Sequence, residues 1–199
     1  YSLKRESQEG RHAAPAANAA LRLNHVRFTD GLGTVKFDFT IPEASKLVAS
    51  GDPGMERLFT HLLKRHKRPE SGLVTLGGID IMSLDKMRLR SEVIVLDRLN
   101  LVETTIEQYL GLANADRDPA DITAALRLVG LEDRIAMLPD GMQTTLSSNG
   151  WPLSPPKTMQ LKLAAAILAR PRILVLSPVL DMVSLHRLED VFRHFAATS

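Results

Sequence analysis

At 199 residues, with 44% hydrophobic side chains and 5% aromatic ones, the chain suits one domain, or one aliphatic core with a smaller lobe. Its zero cysteines exclude disulfides and thiolate metal sites, and a net charge of +2 is too small to indicate a nucleic-acid partner. The longest nearly apolar stretch, Leu163 to Ala169, is far below the ~20 residues a membrane-crossing helix needs.

Residues 1–20 are rich in charge, Ala and small polar side chains, contain Pro15 and show no apolar period, so they read as a linker. Alternation in Leu21-Arg22-Leu23 and from Val35 to Ile41 predicts half-buried antiparallel strands. A helix is expected over Glu56–Lys67, ending in the basic run Lys64-Arg65-His66-Lys67-Arg68, where cations favour the negative end of the helix dipole. The continuous runs Val93-Ile94-Val95-Leu96 and Ile173 to Leu176 predict buried parallel strands. Helices are expected at Pro119–Val129, at Lys157–Ala169, read as amphipathic, and at Leu185–Phe195. The alternation of strands and helices gives an α/β core with a largely helical lobe over roughly residues 98–165. The six histidines show no metal-binding spacing, and none stands beside a Ser or Asp as a triad would require.

Several blocks in order resemble the ATPase domain of ATP-binding-cassette (ABC) transporters. Leu153-Ser154-Pro155-Pro156-Lys157, followed by a helix and Ile173-Leu174-Val175-Leu176-Ser177-Pro178, has the layout of the family's signature L-S-G-G-Q and its strand I-L-I-L-D-E. Leu21 to Phe28 is similar to the first strand of such a domain, and Ile41 to Gly51 to the strand before its phosphate loop. Arg68 to Ile81 is similar to "P-x-S-G-x-I-x-L-x-G-x-D-I", Asn100 to Glu107 to the stretch after the Q-loop, and Leu138 to Thr144 to "L-P-x-G-x-x-T". Several of these are typical of the exporter branch. The resemblance implies an ABC-type P-loop NTPase core with an antiparallel β subdomain and an inserted helical subdomain. It further implies a domain over 21–199 that follows a membrane domain, with a last strand and a switch histidine still to come after residue 199.

The chemistry-bearing positions of the family are altered. A phosphate loop G-x-x-x-x-G-K-[ST] works because backbone N–H groups wrap the phosphates, a Lys neutralises them and a hydroxyl binds magnesium. Here the loop reads Gly51-Asp52-Pro53-Gly54-Met55-Glu56-Arg57-Leu58. Glu56 replaces a glycine with bulk and negative charge, Arg57 keeps the lysine's charge but not its shape and is expected to pair with Glu56 or Asp52, and Leu58 has no oxygen for magnesium. Asp30 stands where the adenine-stacking aromatic falls, and Asp97 takes the place of the Q-loop glutamine. Ser177 replaces the magnesium aspartate, and Pro178 replaces the glutamate that activates water, leaving no proton acceptor. In the signature, Ser154 is a good N-cap and Pro155 and Pro156 suit a first helical turn, yet together they close an anion site built from glycines. Asp181 matches the D-loop aspartate that touches a second ATPase domain; a local turn or cap explains it equally well. Ser148-Asn149, within Thr144 to Gly150, replaces the acidic element of an exporter loop that touches the membrane domain, and Trp151 is expected to be a loop aromatic.

Three functions are open at this stage. One is a non-hydrolysing coupling or regulatory domain at the cytoplasmic face of the membrane, working with an ABC transmembrane domain of the same polypeptide and a second nucleotide-binding domain. A second is an atypical but active ATPase, and a third is a soluble adaptor with the fold but no transport role. No cofactor is expected, with ATP and Mg entering only if the altered site retains function; no nucleic-acid partner and no metal site are expected.

Overall fold

The computed structural model describes residues 19–30, 33–43, 45, 54–114, 116 and 118–198. The chain divides between Val93 and Ile94 into two compact units.

The first unit holds a four-stranded antiparallel sheet in the order β2-β1-β3-β4, formed by β1 (Ala19–Asp30), β2 (Gly33–Pro42), β3 (Ser71–Leu76) and β4 (Ile79–Asp80). β1 opens at Ala19, two residues before the expected Leu21, with Ala19 opposite Pro42. Its buried side chains are Leu21, Leu23, Val26 and Phe28, so the inward phase shifts by one between Leu23 and Val26. A bulge causes the shift: the register of β1 slips between Leu23 and Val26 against β2 and between Asn24 and Arg27 against β3, and His25, inside both intervals, takes a left-handed φ of 49°. Opposite it Gly72 has φ 91°, and a Cβ there would lie 2.4 Å from the His25 carbonyl oxygen, so the bulge requires glycine on β3.

Helix α1 spans Met55–Leu63. It places Leu58, Leu62 and Leu63 inside, and the Phe59 ring packs tilted at 6.0 Å from the rings of both Phe37 and Phe39 of β2. The expected continuation to Lys67 is overturned. Arg65 enters the left-handed region (φ 55°), its N–H bonds the Leu62 carbonyl, and the His66 N–H reaches back to the His61 carbonyl at 2.8 Å. That is a Schellman ending with arginine where glycine is usual. The Arg65 guanidinium is held by the Leu84 carbonyl, so a tertiary contact stabilises the turn. α2 (Lys86–Glu92) follows, capped by the Asp85 carboxylate on the Arg88 N–H.

In the second unit β5 (Val93–Leu96) and β8 (Ile173–Leu176) form a two-stranded sheet. The residues of β8 are half-buried, less than the continuous apolar run predicts. Between these two neighbouring strands the chain inserts β6 (Thr104–Thr105), α3 (Ile106–Gly111), α4 (Pro119–Leu128), α5 (Glu132–Ala136), β7 (Thr145–Leu146) and α6 (Pro155–Ala169); β6 and β7 pair with each other. α7 (Leu185–Thr198) follows β8. α3 begins with a capping box between Thr105 and Gln108, and α4 with Asp118 accepting from the Ala120 N–H at 2.8 Å ahead of Pro119.

α6 is not amphipathic. Ten of its fifteen residues are buried, including Thr158, Gln160 and Lys162, because α3, α4 and α7 all pack against it. Met159, Leu161, Leu163 and Ala164 are completely enclosed in a core shared with Ile106, Leu110, Val129, Leu131, Leu146 and Val191.

Tyr109 of α3 lies against this core, and burial pushes its hydroxyl up to about 12 from an ordinary 10.0. A raised acid pKa means that the folded state favours the neutral phenol. The stabilisation is complete below the ordinary tyrosine value and is lost as pH rises through about 12. Denaturant unfolding should therefore show about 2–3 kcal/mol of stability lost across that window. Tyr109→Phe should remove that part of the loss, and an identical alkaline profile in the variant would exclude this residue as its source.

Candidate functional site

The loop expected to hold phosphate lies partly outside the described residues: Gly51, Asp52 and Pro53 do, and so does the side chain of Asp30. Gly54, which is described, is the N-cap of α1 with φ 98°, and its carbonyl accepts from the Leu58 N–H at 2.9 Å. Glu56 sits in the first turn, exposed, where a carboxylate offsets the positive end of the helix. Arg57 is also exposed. Contrary to expectation, the described residues show no ion pair between it and Glu56, because adjacent residues of a helix point to different sides. Leu58 is only 9% exposed. At the position where the sequence pattern leads one to expect a magnesium-binding hydroxyl, the chain has a core side chain.

Two other stations come together in the second unit. β5 and β8 run side by side, and the Ser177 N–H donates to the Leu96 carbonyl at 3.2 Å, so Asp97 and Ser177 follow adjoining strand ends. Asp97 is half-buried, with the Arg98 guanidinium 3.4 Å from a carboxylate oxygen. Ser177 is 8% exposed and caps the 3₁₀ turn Pro178–Met182, its hydroxyl accepting from the Val179 N–H at 3.4 Å and its carbonyl from the Leu180 N–H at 3.0 Å. Its hydroxyl and its carbonyl serve the turn. Pro178 is exposed and offers neither donor nor proton acceptor. Asp181 lies exposed on the same turn, and the side chain that caps the turn is that of Ser177. Among the described residues no three His, Cys, Asp or Glu side chains are placed to hold a metal ion.

The signature segment opens α6. Ser154 has the extended backbone of an N-cap, but its side chain makes no capping bond, contrary to expectation. Pro155 and Pro156 occupy the first two helical positions and have no N–H to give, which leaves the Lys157 N–H at the third position as the one donor within capping reach, and it is not used. The Ser154 carbonyl does the anchoring, accepting from the Thr158 N–H at 2.8 Å and the Thr158 hydroxyl at 3.1 Å. Leu153 is buried and Lys157 half-buried, its ammonium 3.5 Å from the Gly130 carbonyl.

No protein-family model matches the chain. The Cyclolysin secretion/processing ATP-binding protein CyaB of Bordetella pertussis is 29% identical over 189 residues, which is 90% of this chain and 26% of that protein. The Mycobactin import ATP-binding/permease protein IrtB of Mycolicibacterium thermoresistibile is 28% identical over 157 residues, 76% of this chain and 27% of that protein. The chain is a homologue of ABC transporter ATP-binding proteins. The solved structure of a bacterial Atm1-family ABC exporter with ATP bound matches the fold with a TM-score of 0.78 at 19% identity, over 94% of this chain and 33% of that one. The domain thus spans about a quarter of the length of the curated ABC relatives it matches.

Beside the N-terminus of α6 the second unit has a groove of about 690 Å³, walled by Leu99, Asn100, Arg134, Trp151, Leu153 and Lys157 among others. Trp151, 70% exposed, projects at its rim. The turn before it is tied to the segment after Asp97: the Leu101 N–H donates to the Ser148 carbonyl at 2.9 Å, and the Ser148 N–H to the Glu103 carboxylate at 3.3 Å. Asn149 organises the turn, accepting from the Ser147 hydroxyl and, at 3.2 Å, from the Trp151 N–H. The sequence reading missed Lys162, Gln160 and Glu103. Lys162 and Gln160 had a signal: α6 is apolar nearly all round from Met159 to Leu168, so a polar side chain within it has no wet face and must find partners. No helix among the described residues is long and apolar enough to cross a membrane.

Proposed function

We propose that this ATP-binding-type domain is the non-hydrolysing half of an ABC exporter, acting at the cytoplasmic face of the membrane as a coupling or regulatory element. It works with a transmembrane domain of the same polypeptide and with a second nucleotide-binding domain. The observation that supports this best is the use made of the altered positions. Leu58 is spent on the core of the first unit and Ser177 on its own turn, while Pro178 has no group to activate water. Losses at the phosphate loop, the magnesium ligand, the base and the signature affect separate steps, so no single compensating change restores turnover. What the domain retains is a mechanical connection: from the end of β5, through Leu101 and Glu103 bonded to Ser148, to the turn that precedes the signature helix.

The test is ligand linkage. A ligand that binds only the folded state at ~100 times its dissociation constant stabilises by roughly 2.7 kcal/mol. Melting of the full chain should be unchanged by millimolar Mg-ATP. A saturable upward shift would return it to the competent nucleotide-binding domains, with Arg57 offering a cation at the lysine position, and phosphate release above a no-enzyme control would then favour the second reading, an atypical active ATPase.

A further inference from the structure

We propose that Lys162 is a positioning residue: from the middle of α6 its ammonium fixes the segment Arg98–Asn100, and through it one wall of the groove beside the signature helix. Lys162 is 8% exposed, and its Nζ donates to the Arg98 carbonyl at 2.5 Å and the Asn100 carbonyl at 2.8 Å. A buried ammonium persists only where acceptors replace its water. Two of its acceptors are backbone carbonyls two residues apart in a stretch that is neither helix nor strand, so no ladder or helical bond defines its path. A single cationic donor reaching both carbonyls sets their spacing.

The residues so held matter for the surface. Leu99 and Asn100 line the groove, and the next residue, Leu101, is buried and bonded to Ser148 of the opposite turn. The segment that follows Asp97 is therefore gripped from two sides by the protein itself, by α6 through Lys162 and by the turn before Trp151. The inference stands on this geometry alone and is independent of whether the domain binds nucleotide.

Amide hydrogen exchange on the full chain tests it. In Lys162→Met, which keeps the length of the stem and removes the donor, the Leu101 amide is expected to exchange at least tenfold faster. The Val129 amide, bonded to the Ala125 carbonyl at 3.1 Å in α4, should change less than twofold. An unchanged Leu101 amide would overturn the proposal, and so would equal acceleration at both sites, which would make Lys162 a contributor to global stability only. A measurement on the unmodified chain decides the matter if the variant does not fold. Acetic anhydride should modify Lys162 at least tenfold more slowly than the exposed Lys36 and Lys86, and comparable rates would show that the ammonium is not held.

Discussion

Replacing Glu56, Arg57 and Leu58 by Gly, Lys and Ser is expected to raise affinity for phosphate, lower folding stability by about 2–6 kcal/mol and leave ATP turnover absent. The gain comes from removing a carboxylate at the start of α1. Two like charges ~4 Å apart repel by about 4 kcal/mol at an effective dielectric near 20, and even a screened fraction of that opposes a bound phosphate. The stability loss comes from Leu58, which is 9% exposed: truncating a buried leucine costs about 2–5 kcal/mol, and glycine inside the first turn adds up to about 1 kcal/mol. Leu58→Ser alone should account for most of the fall in a denaturant melt. Turnover stays absent because Ser177 and Pro178 supply neither a magnesium carboxylate nor a base. Phosphate release by the triple variant above a no-enzyme control would show that these two positions have been misassigned.

Leu58 also shows what was legible in the sequence and what was not. Its lack of a hydroxyl is visible at once in the motif, whereas its burial depends on how α1 lies on the sheet. The fold itself was readable because the strand runs, the helix starts at Pro119 and Leu185, and the ordered family blocks agree with one another. The errors arise where a distant group decides a local conformation. α1 stops four residues early because Arg65 adopts a left-handed backbone and its side chain bonds Leu84, nineteen residues on. β1 changes phase at His25 because Gly72 on another strand makes room for a bulge. α6 reads as amphipathic because Lys157, Gln160 and Lys162 are polar, yet Gln160 bonds the Val129 carbonyl at 2.7 Å and Lys162 bonds the segment after β5. Polar letters mark a wet face only when no partner is waiting inside.

The approach of the Ser147–Leu153 turn to α6 is tight enough that Gly150→Ala is expected to cost about 2–6 kcal/mol. Two separable terms contribute. Gly150 has φ 91°, a conformation in which any Cβ is strained, at about 1–3 kcal/mol. A Cβ there would also lie 2.2 Å from the Thr158 hydroxyl oxygen and 2.7 Å from its methyl carbon, and Thr158 is completely buried on α6 with no room to turn away, which adds about 1–3 kcal/mol of overpacking. A double-mutant cycle separates the two. Thr158→Ala in the Gly150→Ala background should recover the overpacking part and leave the backbone part, giving a coupling of about 1–3 kcal/mol between the sites. Additive losses in chemical denaturation would mean that the turn does not press on α6 at Thr158. Because Leu101 and Glu103 hold the same turn through Ser148, a displacement of Gly150 is transmitted to the segment after Asp97. Gly150→Ala should therefore also accelerate exchange of the Leu101 amide beyond what the global stability loss alone produces.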